Sequence, residues 1–155
     1  MNKQPTCEER IESNYEHEIE AIKIAINDFD LDNSDYWEES DLEGYEDNYQ
    51  WYFERLLYVG ETYHTRGINL PHWFIVDDEG APLEDHPHWL YGIEISTGGP
   101  ADGFVLVCNG ETIIEAYYYF QDWFDGALRE LQGEDLETLK TLFSEYVSMG
   151  YHGRT

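Results

Sequence analysis

A net charge of −26 over 155 residues means that this chain must fold against its own repulsion. An imbalance of 34 acidic against 8 basic side chains normally marks a disordered segment. Such chains bury too little apolar surface to offset the entropy lost on ordering. Here the same chain holds 5 Trp, 13 Tyr and 7 Phe. Aromatic side chains bring large buried areas, so the sequence predicts an ordered core with the charge held on a fixed surface. A folded polyanion repels nucleic acid and anionic lipid, and it attracts basic surfaces over about 8 Å, the Debye length. The expected partner is therefore a basic protein, with no direct nucleic acid and no membrane.

The length suits one domain, residues 1–155, with a single sizeable core. Apolar runs such as 104–108 are far too short to span a bilayer. The opening residues MNKQPTCEER lack the apolar stretch of a signal peptide. Two cysteines, Cys7 and Cys108, make neither a disulfide framework nor a zinc site. Cys108 lies in an apolar run and reads as a small core residue. The expected location is the cytoplasm of a bacterial cell, and no cofactor is implied.

The predicted fold class is α+β: two N-terminal helices, a three- to four-stranded antiparallel meander with an Asn-Gly hairpin, and a C-terminal helix. Thr6 and Glu9 form a T-x-x-E capping box ahead of Ile11, Tyr15, Ile19, Ile22, Ile26 and Phe29 at helical spacing, which predicts a helix over 6–29. Glu8, Glu12, Glu16, Glu18 and Glu20 would line its outer face. Ser40 with Glu43 signals a second helix, its apolar face Tyr45, Tyr49, Tyr52, Phe53, Leu56 and Tyr63, with Gly67 as its stop. These make up an acidic helical part, 1–67.

From 71 to 155 the pattern changes to a sheet and a closing helix. A short extended run at 73–76 precedes strands at 88–96, 103–108 and 112–120, with a fourth at 127–131. Asn109-Gly110 predicts a type I′ hairpin turn with positive φ at both residues. Simple alternation then places Thr112, Ile114, Ala116, Tyr118 and Phe120 on one face and Ile113, Glu115, Tyr117 and Tyr119 on the other. The closing helix is predicted at 135–149, with Leu136, Leu139, Phe143 and Val147 inward. Helices would cover one face of the sheet.

The acids concentrate. Residues 28–47 contain Asp28, Asp30, Asp32, Asp35, Glu38, Glu39, Asp41, Glu43, Glu46 and Asp47 and no base. Within them, Asp28, Asp30, Asp32 and Glu39 fall where an EF-hand loop places calcium ligands 1, 3, 5 and 12, so the segment resembles that loop. It departs from the pattern with Asn33 in place of glycine and Asp35 in place of an apolar residue, and it has no second loop. A solvated acidic loop is the favoured reading, and calcium binding the alternative.

Other motifs point to little chemistry. His64, His72, His86 and His88 lie close in sequence, but Asp85-His86-Pro87-His88 supplies two ligands and a turn rather than a closed metal site. The glycine-rich turn Ser96-Thr97-Gly98-Gly99-Pro100 has no following Lys or helix to hold a phosphate. No G-x-S-x-G or Cys/His signature of nucleophilic catalysis occurs, so no catalytic residue is expected. Aromatic–acid clusters at 36–39, 45–49 and 117–125 suit protein recognition, since interfaces favour Tyr and Trp anchors. Among these residues Trp37 is expected to be exposed.

In its small size, acidity and aromatic content the chain resembles the antirestriction and anti-CRISPR inhibitors of phages and mobile elements, which mimic DNA. In addition, 95–103 with 119–125 is similar to uncharacterised small proteins of mobile elements. The first resemblance implies an inhibitor whose carboxylates stand in for phosphates in the basic groove of a restriction or CRISPR nuclease. The partner-binding candidates are Asp28, Asp30, Asp32, Asp35, Trp37, Glu38, Glu39, Asp41, Glu43, Glu46 and Asp47. An immunity protein capping a basic toxin is the alternative from the same physics.

Overall fold

A computed structural model describes residues 6–62, 88–97, 100–122 and 125–153. It is an α+β fold in which α1 (Cys7–Ala25), α2 (Asn48–Glu54) and α3 (Gly133–His152) accompany an antiparallel sheet. The strands are β1 (Tyr58–Glu61), β2 (His88–Ser96), β3 (Ala101–Asn109), β4 (Thr112–Asp122) and β5 (Asp125–Glu130), paired in chain order. The extended run expected at 73–76, Tyr63, Gly67, His64, His72 and His86 lie outside the described residues.

The Thr6 hydroxyl accepts the Glu9 amide at 3.2 Å, as the capping motif predicts. The helix stops at Ala25, short of residue 29, because Asn27 takes a left-handed conformation (φ 60°). The Asp28 amide then reaches back to the Lys23 carbonyl (2.8 Å) and the Asn27 amide to that of Ile24 (3.1 Å). This is a Schellman closure with Asn in the place glycine usually fills. Ile11, Tyr15, Ile19 and Ile22 are buried as the spacing requires. Glu18, assigned above to the outer face, is only 3% exposed. It lies three residues after Tyr15 and four before Ile22, so helical geometry turns it inward with them.

The long second helix is not formed. Residues Glu39–Leu42 make a 3-10 turn, and α2 spans only seven residues, capped by the Asp47 carboxylate on the Gln50 amide (2.7 Å). Beyond Arg55 the chain turns into a strand. The Leu57 amide donates to the Glu94 carbonyl (2.7 Å), and Tyr58–Glu61 pairs with β2. Sheet pairing thus overrides the apparent helical spacing of the aromatics.

The β3–β4 hairpin also differs in detail. Asn109 pairs with Thr112, so the two loop residues are Gly110 and Glu111. Only Gly110 has positive φ (59°), which suits a turn with glycine first rather than the predicted type I′ turn. The register then slips by one between Cys108↔Ile113 and Val107↔Glu115, leaving Ile114 as a bulge. The slip reverses the expected faces at the start of β4. Ile113 is buried with Ala116, Tyr118 and Phe120, and Ile114 is exposed.

The helices pack on one face of the sheet against Trp89, Tyr91, Ile93, Phe104, Leu106, Cys108, Tyr118 and Phe120. Leu90, Val105, Val107, Tyr117 and Tyr119 form a smaller cluster on the other. Cys108 is buried, as its apolar run predicts. On α3, Leu139, Phe143 and Val147 are buried and Leu136 is half-buried. Among the described residues no helix is long and apolar enough to cross a membrane.

Candidate interaction face

The segment between α1 and α2 carries all ten predicted acids, and every one is exposed: Asp28, Asp30, Asp32, Asp35, Glu38, Glu39, Asp41, Glu43, Glu46 and Asp47. Four features shape it from within. Asp30 accepts the Asp32 amide (3.0 Å) and caps the 3-10 turn Leu31–Asn33. Asp41 accepts the Glu38 amide (2.9 Å). Asp47 caps α2, and the Gln50 side chain accepts the Glu46 amide (2.6 Å). The backbone course, and with it the point from which each acid projects, is therefore fixed by side chains bonding to nearby amides.

Two hydroxyls help tie the segment to α1. The Ser34 hydroxyl donates to Glu20 (2.5 Å) and accepts the Tyr36 and Trp37 amides (3.1 and 2.8 Å). The Tyr36 hydroxyl donates to Glu16 (3.1 Å).

Trp37, expected to be exposed, is half-buried. Its ring stacks on His17 with centroids 4.1 Å apart and meets Trp51 edge-on at 5.1 Å. The Arg55 guanidinium lies 4.6 Å above it. A large aromatic beside an apolar groove is covered because covering it recovers more free energy than hydrating it. Trp37 thus fastens the acidic segment to the body of the fold.

Beneath Trp37 lies a polar cluster that motif reading does not detect. Arg55 Nη2 donates to both Glu18 oxygens (3.1 and 2.9 Å), and His17 Nδ1 sits 3.0 Å from Glu18. Burial opposes ionisation of Glu18, but the His17 hydrogen bond and the Arg55 charge outweigh it and hold the carboxyl below its ordinary range. Asp102 on β3 accepts the hydroxyls of Tyr118 and Ser96, each at 2.5 Å. Burial dominates there and raises the Asp102 carboxyl above its usual range in spite of both bonds. The signal for Glu18 was its place between Tyr15 and Ile22, whereas nothing local in the sequence marks Asp102.

Four of the five described Lys and Arg side chains are spent away from the acidic segment, Lys23 being the exception. Arg10 pairs with Asp122 (2.5 Å), Arg55 with Glu18, Arg129 with Glu12 (2.7 Å) and Lys140 with Glu137 (3.8 Å). Among the described residues, no ion pair reaches any acid of 28–47. Nor do Asp28, Asp30, Asp32 and Glu39 converge as an EF-hand would need. Asp30 is turned onto its own backbone, and a 3-10 turn stands at Glu39 where the pattern has an α-helix. Among the described residues no group of three or more His, Cys, Asp or Glu side chains is placed to hold a metal ion.

The chain is thus an α+β fold with an uncompensated anionic face at 28–47. Compared with protein-family models, curated proteins and solved structures, it gives no significant match in any of the three.

Proposed function

We propose that the protein is a non-enzymatic inhibitor of a basic, nucleic-acid-binding bacterial defence enzyme, a restriction or CRISPR nuclease, acting by mimicry of nucleic acid. One observation carries this reading: ten exposed carboxylates on a segment with internally fixed shape, none neutralised by a described cation. Duplex DNA presents one charge per about 1.7 Å of axis, and its binding sites are lined with Lys and Arg. Carboxylates carried on a fixed backbone compete for such a groove at a reduced ordering cost, because the protein itself holds the course of the segment. Hydrogen-bonding side chains and the exposed rings of Tyr45 and Tyr49 would add selectivity.

The test is capture of partners from a bacterial lysate at low salt, release by rising salt, and competition with duplex DNA. The expected result is a nuclease whose DNA binding is blocked by the protein and restored by salt. A complex that persists unchanged at high salt, or one that ignores added DNA, would refute mimicry. Capture of a toxin whose active site is capped would move the reading to immunity.

A further inference from the structure

The three described arginines are all seated in one way. Arg10 lies over the Phe120 ring (4.7 Å) while bonding Asp122, Arg55 over Trp37 while bonding Glu18, and Arg129 over Tyr15 (4.6 Å) while bonding Glu12. Each guanidinium has an aromatic face on one side and a carboxylate at its edge, the pairing that suits its planar, weakly hydrated charge. Carboxylates and a ring with no described arginine over it, Phe29, also meet in a hollow of about 240 Å³ beside α1. Tyr15, Ile19 and Phe29 give it an apolar lining, and Glu16, Glu20 and Asp135 give it charge.

Each of these three carboxylates is already oriented by a hydroxyl: Glu16 by Tyr36, Glu20 by Ser34, and Asp135 by Tyr15 (2.6 Å). One bond to each leaves acceptor capacity for an incoming donor. The volume falls below the range of about 300–1,000 Å³ typical of small-molecule and cofactor pockets, and it suits one long side chain. Lys23, also in the lining, makes no ion pair among the described residues.

We propose that this hollow receives a single arginine side chain of the basic partner, its guanidinium against Phe29 and its N–H groups on Glu16, Glu20 and Asp135. The inference rests on the function proposed above and names an anchor point for it. Tyr36 and Ser34 belong to the acidic segment, so the hollow lies at the margin of that face. Lys23 acts there as a resident competitor, displaced when the arginine enters.

The full-length protein, labelled with ¹⁵N, is titrated with N-acetyl-arginine amide and with its uncharged isostere N-acetyl-citrulline amide. Saturable amide shifts confined to 15–23, 29–36 and the neighbourhood of Asp135, seen with arginine alone, are expected. Glu16→Gln with Glu20→Gln should weaken binding about three- to five-fold, the size of partly exposed ion pairs. Both glutamines can still accept the hydroxyls, and an unchanged amide spectrum before titration verifies the fold.

Lys23→Met should tighten binding, and more than Lys140→Met, which changes the net charge equally at a distance. Shifts scattered over the whole surface without saturation, equal shifts with citrulline, or weaker binding by Lys23→Met would each overturn the proposal. Inhibition of a nuclease without local arginine shifts would sink the hollow alone. Saturable arginine binding in a protein that inhibits no nucleic-acid enzyme would sink the proposed function alone.

Discussion

The indole nitrogen of Trp37 donates to the main-chain carbonyl of His17 at 2.9 Å while the two rings stack. One residue of the acidic segment thereby grips both the backbone and a side chain of α1. Trp37→Ala should cost about 2 kcal/mol, less than truncation of a fully buried aromatic because the ring is half-buried. Hydrogen exchange should show faster opening across 28–47 than across β3 and β4. Equal acceleration in both regions would mean that Trp37 supports the whole fold and not the segment.

The acids that bond nothing within the fold can be separated from those that shape it. Asp28, Asp32, Asp35 and Glu39 have exposed side chains that cap no amide. Reversing all four to Lys should leave the thermal midpoint unchanged or raise it, since self-repulsion falls. Salt-sensitive binding of the target should be lost. Retention of binding by that variant would rule out charge mimicry.

The Glu18–Arg55 pair sits below Trp37 with little solvent around it, so removing one partner strands the other. Glu18→Gln should destabilise the protein by about 3 kcal/mol in urea unfolding. Its pH dependence has a definite sign. The folded pKa is depressed below 4.5, so the stabilisation is present above that value and is lost as pH falls through the folded pKa. The deficit of the Gln variant should therefore shrink on acidification.

Asp102 runs the other way. Its folded pKa is raised above 3.8, so the stability it contributes is present below that value and is lost as pH rises through the folded pKa. Asp102→Asn should show its largest deficit near about pH 4 and a smaller one near about pH 7. Urea midpoints of the two proteins at both pH values measure this; a deficit that grows with pH would contradict the assignment.

Much of this architecture is legible in the sequence where one local rule acts alone. The Thr6 cap, the Ile periodicity of α1, the strand spans of β2 to β5 and the inward residues of α3 follow from spacing and burial. The reading fails where a distant partner decides. Tyr49, Tyr52 and Phe53 continue a helical pattern that ends only because Leu57 bonds to Glu94 across the sheet. Ile113 and Ile114 exchange faces because of a bulge, and alternation contains no term for an added residue. The ten acids were found as a block by composition, but the division of labour among them is set by backbone geometry.

A stricter close contact is available at Gly103. A Cβ there would stand 2.1 Å from the Ile93 carbonyl and 2.7 Å from the Tyr119 hydroxyl. Gly103→Ala should cost about 3 kcal/mol, because the nearer obstacle is backbone and cannot rotate away. A loss below about 1 kcal/mol in thermal unfolding would show that the two strands can separate there cheaply.

The capping role of Asp30, Asp41 and Asp47 gives the acidic segment two vocabularies. At those positions the shorter side chain is tied to a particular amide, and glutamate would keep the charge while losing the fit. At Glu43 and Glu46 no amide depends on the carboxylate, and either acid serves. A library exchanging Asp and Glu throughout 28–47 at constant charge should thus sort into fixed and interchangeable sites. Electrophoretic mobility would miss the difference, and selection for binding would expose it.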